Sequence, residues 1–268
     1  MKSLLRVIIF KFTFFLLAYN VLAETSEEKA LRISTDAYNY DKGFGDFISS
    51  STMTLRNKQG EETIRYFRGK TLEVEGDGDK TLFIFDSPRD VKGTATLTFT
   101  HKTDPDDQWL YLPALKRVKR ITSDNRSGSF VGSEFSYEDL GSQELEKYTD
   151  RKYLKKEPCP KKENLSCHVI SRAPREKSSG YKYQVLWLDD TDAHNVWKID
   201  YYDRKGSHLK TLFFGDYKIY LDKHWRPSFY KMINHQTGKS TDLLVENIKF
   251  QVGLSSKDFN EKTLSRAR

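Results

Sequence analysis

The sequence predicts a mainly β protein: one antiparallel meander, with one or two helices, curled into a barrel or half-barrel. Three observations carry this. From Thr52 onward apolar residues recur at every second position, most cleanly in Thr94-Ala-Thr-Leu-Thr-Phe-Thr100, where Ala95, Leu97 and Phe99 share one face. Turn signals separate the alternating runs, among them Asn57-Lys-Gln-Gly60, Gly76-Asp-Gly-Asp79, Pro105-Asp-Asp107, Asp203-Arg-Lys-Gly206 and His235-Gln-Thr-Gly238. Helical spacing is confined to two short stretches. Many consecutive strands joined by short turns pair antiparallel, and a sheet of that width curls.

The chain opens with Lys2 and Arg6, an apolar run through Val7–Phe10 and Phe12–Leu17, and Val21-Leu-Ala23 before the polar Glu24-Thr-Ser-Glu-Glu28. A positive start, a short apolar middle and a small residue before a polar segment read as a cleavable signal peptide over residues 1–23. Lys11 interrupts the run, which disfavours a membrane anchor, and no later run is long enough to span a bilayer. Residues 24–268, with no interior linker and no internal repeat, are expected to form one domain exported to the periplasm.

Glu27 to Asn39 is the first helix: Ala30, Ile33, Ala37 and Tyr38 recur at helical spacing, and Thr25 or Ser26 is placed to cap it. Strands are expected at Thr52–Arg56, Glu62–Glu75, Lys80–Asp86, Thr94–Thr100, Gln108–Leu112, Arg117–Ile121 and Glu146–Leu154. Six more follow at Cys167–Arg172, Tyr181–Leu188, Val196–Tyr202, Leu209–Tyr220, Arg226–Asn234 and Ser240–Lys249. Between the sixth and seventh, the small polar hinge Ser123–Ser129 leads into Phe130–Leu140. There Ser133 or Ser136 is placed to cap a short helix, with Glu138 and Asp139 favourable in its first turn. Phe130, Phe135, Tyr137 and Leu140 give that element an apolar face, suited either to a lid over a cavity or to a plug in the core.

Lys80–Asp86, Trp109–Leu112 and Val185–Leu188 are apolar on both faces. A strand buried on one face alternates. These runs require either a sheet covered on both sides or one face lining an apolar cavity.

Composition narrows the function classes. The formal net charge is +7, and residues 1–23 carry Lys2, Arg6 and Lys11 without an acid, so the exported chain is only mildly basic. That suits an anionic membrane surface and falls short of a nucleic-acid-binding charge. Cys159 and Cys167 are the two cysteines; in an oxidising compartment they are expected to form a disulfide across a hairpin-like loop, worth about 2–3 kcal/mol. The six histidines are scattered without metal-ligand spacing, and no nucleophile elbow, P-loop or dinucleotide fingerprint occurs. Metal, cofactor and catalysis are therefore not expected. The run Lys116-Arg-Val-Lys-Arg120 places cations on both faces of a strand. This is the pattern of a solvated edge strand, or of a basic rim (Arg117, Lys119, Arg120) that meets phosphate head groups or an acidic protein surface.

Trp109-Leu-Tyr-Leu-Pro-Ala-Leu-Lys-Arg-Val-Lys-Arg-Ile121 followed by Ser127–Leu140 resembles the signature of the bacterial outer membrane lipoprotein-sorting protein family, periplasmic proteins similar to the carrier LolA. The resemblance extends to Gly76–Lys80, Asp86–Asp90 with Gly93-Thr94, Phe214-Gly-Asp-Tyr217 and Asn234–Lys239. It implies a strongly curved antiparallel half-barrel with helices covering the concave face and an apolar cavity between. It further implies a non-enzymatic carrier of lipid or lipoprotein acyl chains between inner and outer membrane, served by an RND/MMPL-type exporter. On that expectation Phe83, Phe85, Leu97, Phe99, Trp109 and Tyr111 are the candidate cavity lining, and Phe99→Asp should lower lipid retention. A fixed export-complex subunit without cargo is the alternative, and a lipid or glycan hydrolase a more distant one.

Overall fold

The computed structural model describes residues 23–266, so the expected signal peptide falls, up to residue 22, outside the described residues. Helix α1 (Ser26–Asp41) starts at Thr25, whose hydroxyl accepts from the Glu28 amide while the Glu28 carboxylate accepts from the Thr25 amide, a reciprocal cap. Among the described residues no helix is long and apolar enough to cross a membrane.

Every strand expected from the alternation is present. They are β1 (Asp46–Arg56), β2 (Glu62–Leu72), β3 (Lys80–Ser87), β4 (Ala95–Phe99), β5 (Asp107–Leu112), β6 (Arg117–Ile121) and β7 (Tyr148–Cys159). After them come β8 (Lys162–Pro174), β9 (Tyr181–Asp189), β10 (Val196–Asp203), β11 (His208–Tyr220), β12 (His224–Asn234) and β13 (Ser240–Phe250). They form one 13-stranded antiparallel sheet in the order β6-β5-β4-β3-β2-β1-β13-β12-β11-β10-β9-β8-β7. The sheet is curved and unclosed, with β6 and β7 as its edges. Both edges carry cations, Arg117, Lys119 and Arg120 on one and Lys152, Lys155 and Lys156 on the other, which discourages sheet-to-sheet association. The Cys159–Cys167 disulfide closes the β7–β8 hairpin with its Cα atoms 4.9 Å apart.

Curvature follows from what lies against the sheet. The segment from Thr122 to Lys147 crosses the concave face as a strap of short 3-10 turns. Gln108 on β5 donates to the Tyr137 carbonyl, and Tyr181 on β9 donates to the Asp139 carboxylate. Laid flat, β5 and β9 would stand roughly 40 Å apart at about 4.8 Å per strand. Both instead reach residues two positions apart in the strap.

Both faces are covered, which settles the two-sided strands. On one face a main cluster gathers Met53, Phe67, Phe85, Ile170, Leu186, Leu188, Ile199, Leu212 and Met232 from the strands, with Ala30 and Ile33 from α1, and Phe130 and Phe135 from the strap. On the opposite face Val169, Val185, Trp187 and Trp197 pack beside the disulfide. At the other wing Leu82, Ala95 and Leu97 pack against Phe259 and Leu264. Leu264 belongs to α2 (Glu261–Arg266), a short helix absent from the sequence-based expectation. Alternation thus splits β3, with Phe83 and Phe85 inward and Leu82 and Ile84 outward.

Candidate functional site

Local geometry places the strap. Its hinge Ser123–Ser129 leads to a turn at Phe130–Gly132, then to a second turn at Tyr137–Leu140 that Ser136 caps and Asp139 completes by accepting from the Ser136 amide at 2.7 Å. Phe130 is 1% exposed and rests on an aromatic pit, with ring centroids 5.7 Å from Phe85, 6.2 Å from Phe83 and 5.8 Å from Tyr137. Phe67 extends the pit, 5.1 Å from Phe85 and 5.4 Å from Phe83. Gly69 makes room for it: a Cβ there would lie 3.2 Å from the Phe83 ring and 2.8 Å from the Ser49 hydroxyl. Of the two roles open to Phe130–Leu140, the strap here is a packed plug.

Polar anchors hold the plug from both wings. Asp139 accepts from Lys210 on β11 at 2.7 Å and from the Tyr181 hydroxyl at 2.7 Å, and both partners of the ion pair are almost fully buried. Burial and the neighbouring Asp139 charge keep the Tyr181 phenol far above its ordinary range, so it acts as a donor. Glu134 accepts from Asn234 on β12 at 2.7 Å, and its amide donates to Thr241 on β13 at 3.0 Å. Glu138 accepts from the Ser179 hydroxyl at 2.7 Å and the Gly180 amide at 3.0 Å. Burial, then the Asp139 charge, pushes the Glu138 carboxyl up to about 7. Only glycine fits at 180, because a Cβ would lie 2.8 Å from the Glu138 carboxylate and 2.8 Å from Ser127.

At one mouth of the curl, Arg126 pairs with Glu176 and lies 3.6 Å from Asp106, which also pairs with Lys147. This chain ties the β4–β5 loop to the β8–β9 loop through the strap. A cavity of about 190 Å³ opens beside it, lined by Arg126, Glu138, Lys147, Tyr181 and Gln184 among others. A second, of about 180 Å³, lies at the start of β2 and β13, bounded by Leu55, Thr63, Gly132, Glu134 and Thr241. Among the described residues no group of three His, Cys, Asp or Glu side chains is placed to hold a metal ion.

The sequence-predicted lining divides between faces. Phe83 and Phe85 lie in the concave pit. Leu97, Phe99, Trp109 and Tyr111 lie on the opposite face, packed with α2. The physical reason is parity: Phe83 pairs with Thr96, so the threonines of β4 face inward and its apolar residues outward. The rim residues Arg117, Lys119 and Arg120 are all exposed on edge strand β6, with Arg120 paired to Asp107. Phe67 and the Lys210–Asp139 pair were absent from the sequence-based set. Phe67 had a signal, the alternation of β2. The ion pair joins residues 71 positions apart and had none.

A family model described as an uncharacterised protein matches residues 77–266. An outer membrane lipoprotein-sorting protein domain from Vibrio parahaemolyticus is 52% identical and superposes with a TM-score of 0.85, covering 90% of this chain and 100% of that one. A DUF1329 family protein from Desulfovibrio piger is 26% identical, with a TM-score of 0.83 over 90% of this chain and 99% of its own. A LolA superfamily protein from Nitrosomonas europaea, 17% identical, shares the fold with a TM-score of 0.69 over 87% of this chain and 98% of its own. No curated protein matches. At 52% identity over 90% of its length, the chain belongs to the outer membrane lipoprotein-sorting protein family.

Proposed function

We propose that this protein is an exported periplasmic carrier without catalytic activity. It holds the acyl chains of a lipid or lipoprotein against the concave face of its sheet. The observation that carries the reading is an aromatic pit on that face, Phe67, Phe83 and Phe85, covered by a strap that sits on a polar hinge. The family relationship and the shared LolA superfamily fold support it.

Cargo requires the strap to move. The two cavities, about 180 and 190 Å³, are smaller than the roughly 300–1,000 Å³ of ordinary ligand pockets. Withdrawing Phe130 exposes one large side chain, at about 1.5–3 kcal/mol. An acyl chain of about a dozen methylenes returns up to roughly 10 kcal/mol at about 0.8 each. Exchange of plug for cargo is therefore favourable. On this reading α1 and the strap are the cover of the concave face. The basic edge of Arg117, Lys119 and Arg120 makes transient contact with anionic head groups, and an RND/MMPL-type inner-membrane transporter is the exchange partner.

A second reading, a fixed export-complex subunit without cargo, is favoured by one observation: the concave face is filled, with Phe130 and Phe135 both buried. Native mass spectrometry with lipid extraction, on protein purified from its own periplasm, separates the two. A near-stoichiometric acylated species is the expected result. Empty protein that also refuses a fluorescent fatty acid would leave the fixed-subunit reading.

A further inference from the structure

The alternation that sends Phe67 inward also sends Arg65 inward, where it sits opposite Met53 of β1. Its guanidinium Nε and Nη1 are buried and meet no hydrogen-bond partner, and among the described residues it forms no ion pair. A Cβ at Gly132 would lie 3.7 Å from its Nη2 and 3.8 Å from its Nη1, so the guanidinium sits against the strap turn that carries Phe130. That turn is strained: Val131, a β-branched residue, holds the left-handed conformation at φ 46° and ψ 42°. The cavity of about 180 Å³ is also lined by Gly132. On the same inward face the Thr96 hydroxyl and the Gln108 side-chain carbonyl are also buried without partners.

Lys210 is answered by Asp139, and Arg126 by Asp106 and Glu176, while the buried Arg172 donates to the neutral Gln184 and Gln143. Burial alone pushes the Arg65 guanidinium below its ordinary range, opposed only by the charge of Asp90. Arg65 as a residue is half-buried, and the cost falls on Nε and Nη1, donors cut off from water without an acceptor. Its planar fork of donors matches an oxyanion, carboxylate or phosphate, in two-point geometry.

We propose that Arg65 reads the acidic head group of an acylated cargo, a carboxylate or a phosphate, while the acyl chain lies along Phe67, Phe83 and Phe85 in the place Phe130 vacates. This rests on the carrier reading above and narrows it. The preferred cargo is an anionic single- or double-chain lipid, rather than a triacylated cysteine whose acyl linkages are all neutral.

The test measures binding of oleate, oleoyl-lysophosphatidate and monooleoylglycerol to the purified protein and to Arg65→Met, at pH 7.5 and below micelle-forming concentrations. At least one acidic ligand is expected to bind about tenfold to a hundredfold tighter than the neutral one, the span of a charge-assisted hydrogen bond. Arg65→Met should erase that preference, leave the neutral ligand's affinity unchanged, and keep or raise Tm. Which acid shows the Arg65-dependent gain distinguishes a fatty-acid carboxylate from a phospholipid phosphate. Arg65→Gln replaces Arg65→Met if the latter does not fold. Equal affinities for acidic and neutral ligands, or a preference that survives loss of the guanidinium, would overturn the proposal and leave the carrier reading standing. Binding of none of the three would remove both.

Discussion

At the scale of single residues, the concave interior is unusual for how much charge it buries. Asp139 and Lys210 neutralise one another, and Tyr181 and the Ser136 amide complete the carboxylate's bonds, as burial of an ion pair requires. Glu138 has no cation in contact; it accepts two neutral hydrogen bonds and its carboxyl rises from an ordinary 4.5 to about 7. Asp79 rises from 3.8 to about 7 through burial and the charge of Glu144. Both folded-state values exceed the unfolded ones, so the native state binds more protons through this interval. The stability these two carboxyls contribute is then fully present below the unfolded values and is lost as pH climbs towards 7. Glu138→Gln keeps an acceptor for Ser179 and Gly180 but cannot ionise. It should remove Glu138's part of the pH dependence between roughly pH 4.5 and 7, about half of the loss these two carboxyls contribute together, so that unfolding free energy falls less steeply (or rises more steeply) with pH than in the parent protein. Urea unfolding across that interval measures it, and an unchanged slope would show that Glu138 does not titrate there.

At the scale of elements, the strap is the informative piece. It is fastened at its polar residues and merely packed at Phe130, so the two kinds of contact are separable. Phe130→Ala should lower stability by about 3–5 kcal/mol, the usual loss for a buried phenylalanine. The same change empties the pit over Phe67, Phe83 and Phe85, so uptake of a fluorescent fatty acid should rise even as Tm falls. A variant that loses stability without gaining uptake would argue that the strap is a permanent plug. α1 is fastened both to the sheet and to the strap: its Ser26 hydroxyl donates to the Tyr153 carbonyl of β7 at 2.9 Å, and Tyr38 donates to Glu144, near the C-terminal end of the strap, at 2.7 Å.

At the scale of the whole molecule, the carrier reading makes one face of the sheet functional and the other structural. The outward cluster under α2 contains Leu97, Phe99, Trp109 and Tyr111, which the sequence-based reading had grouped with Phe83 and Phe85. The retention test expected for Phe99→Asp therefore belongs to Phe85 and Phe67. Leu264→Ala offers the complementary check. Leu264 is fully buried beneath the sheet's outer face, so its truncation should cost about 2–5 kcal/mol while leaving lipid uptake per folded molecule unchanged. Chemical unfolding and the uptake assay, run on one sample, read both.

Period-two alternation and turn residues located, without tertiary information, the strands in their order, and helical spacing located α1 and the element at Phe130–Leu140; the structure then chose Thr25 over Ser26 and Ser136 over Ser133 as caps. Each is a local signal, readable within a dozen residues. The disulfide was equally legible, because two nearby cysteines in a hairpin-like loop expected to be exported have one partner each. The helix α2 escaped because six residues with one buried leucine carry too little periodicity. Only the curled sheet decided which parity of each strand faces the strap. That choice sets Phe83 against Thr96 across two neighbouring strands and therefore depends on register. Curling also brought together residues remote in sequence: Asp139 with Lys210, Asp106 with Arg126 and Glu176, and Arg65 with the turn at Gly132. Burial turns these ordinary surface-type residues into a charged interior, and burial is a property of the curled sheet and its strap rather than of any segment within them.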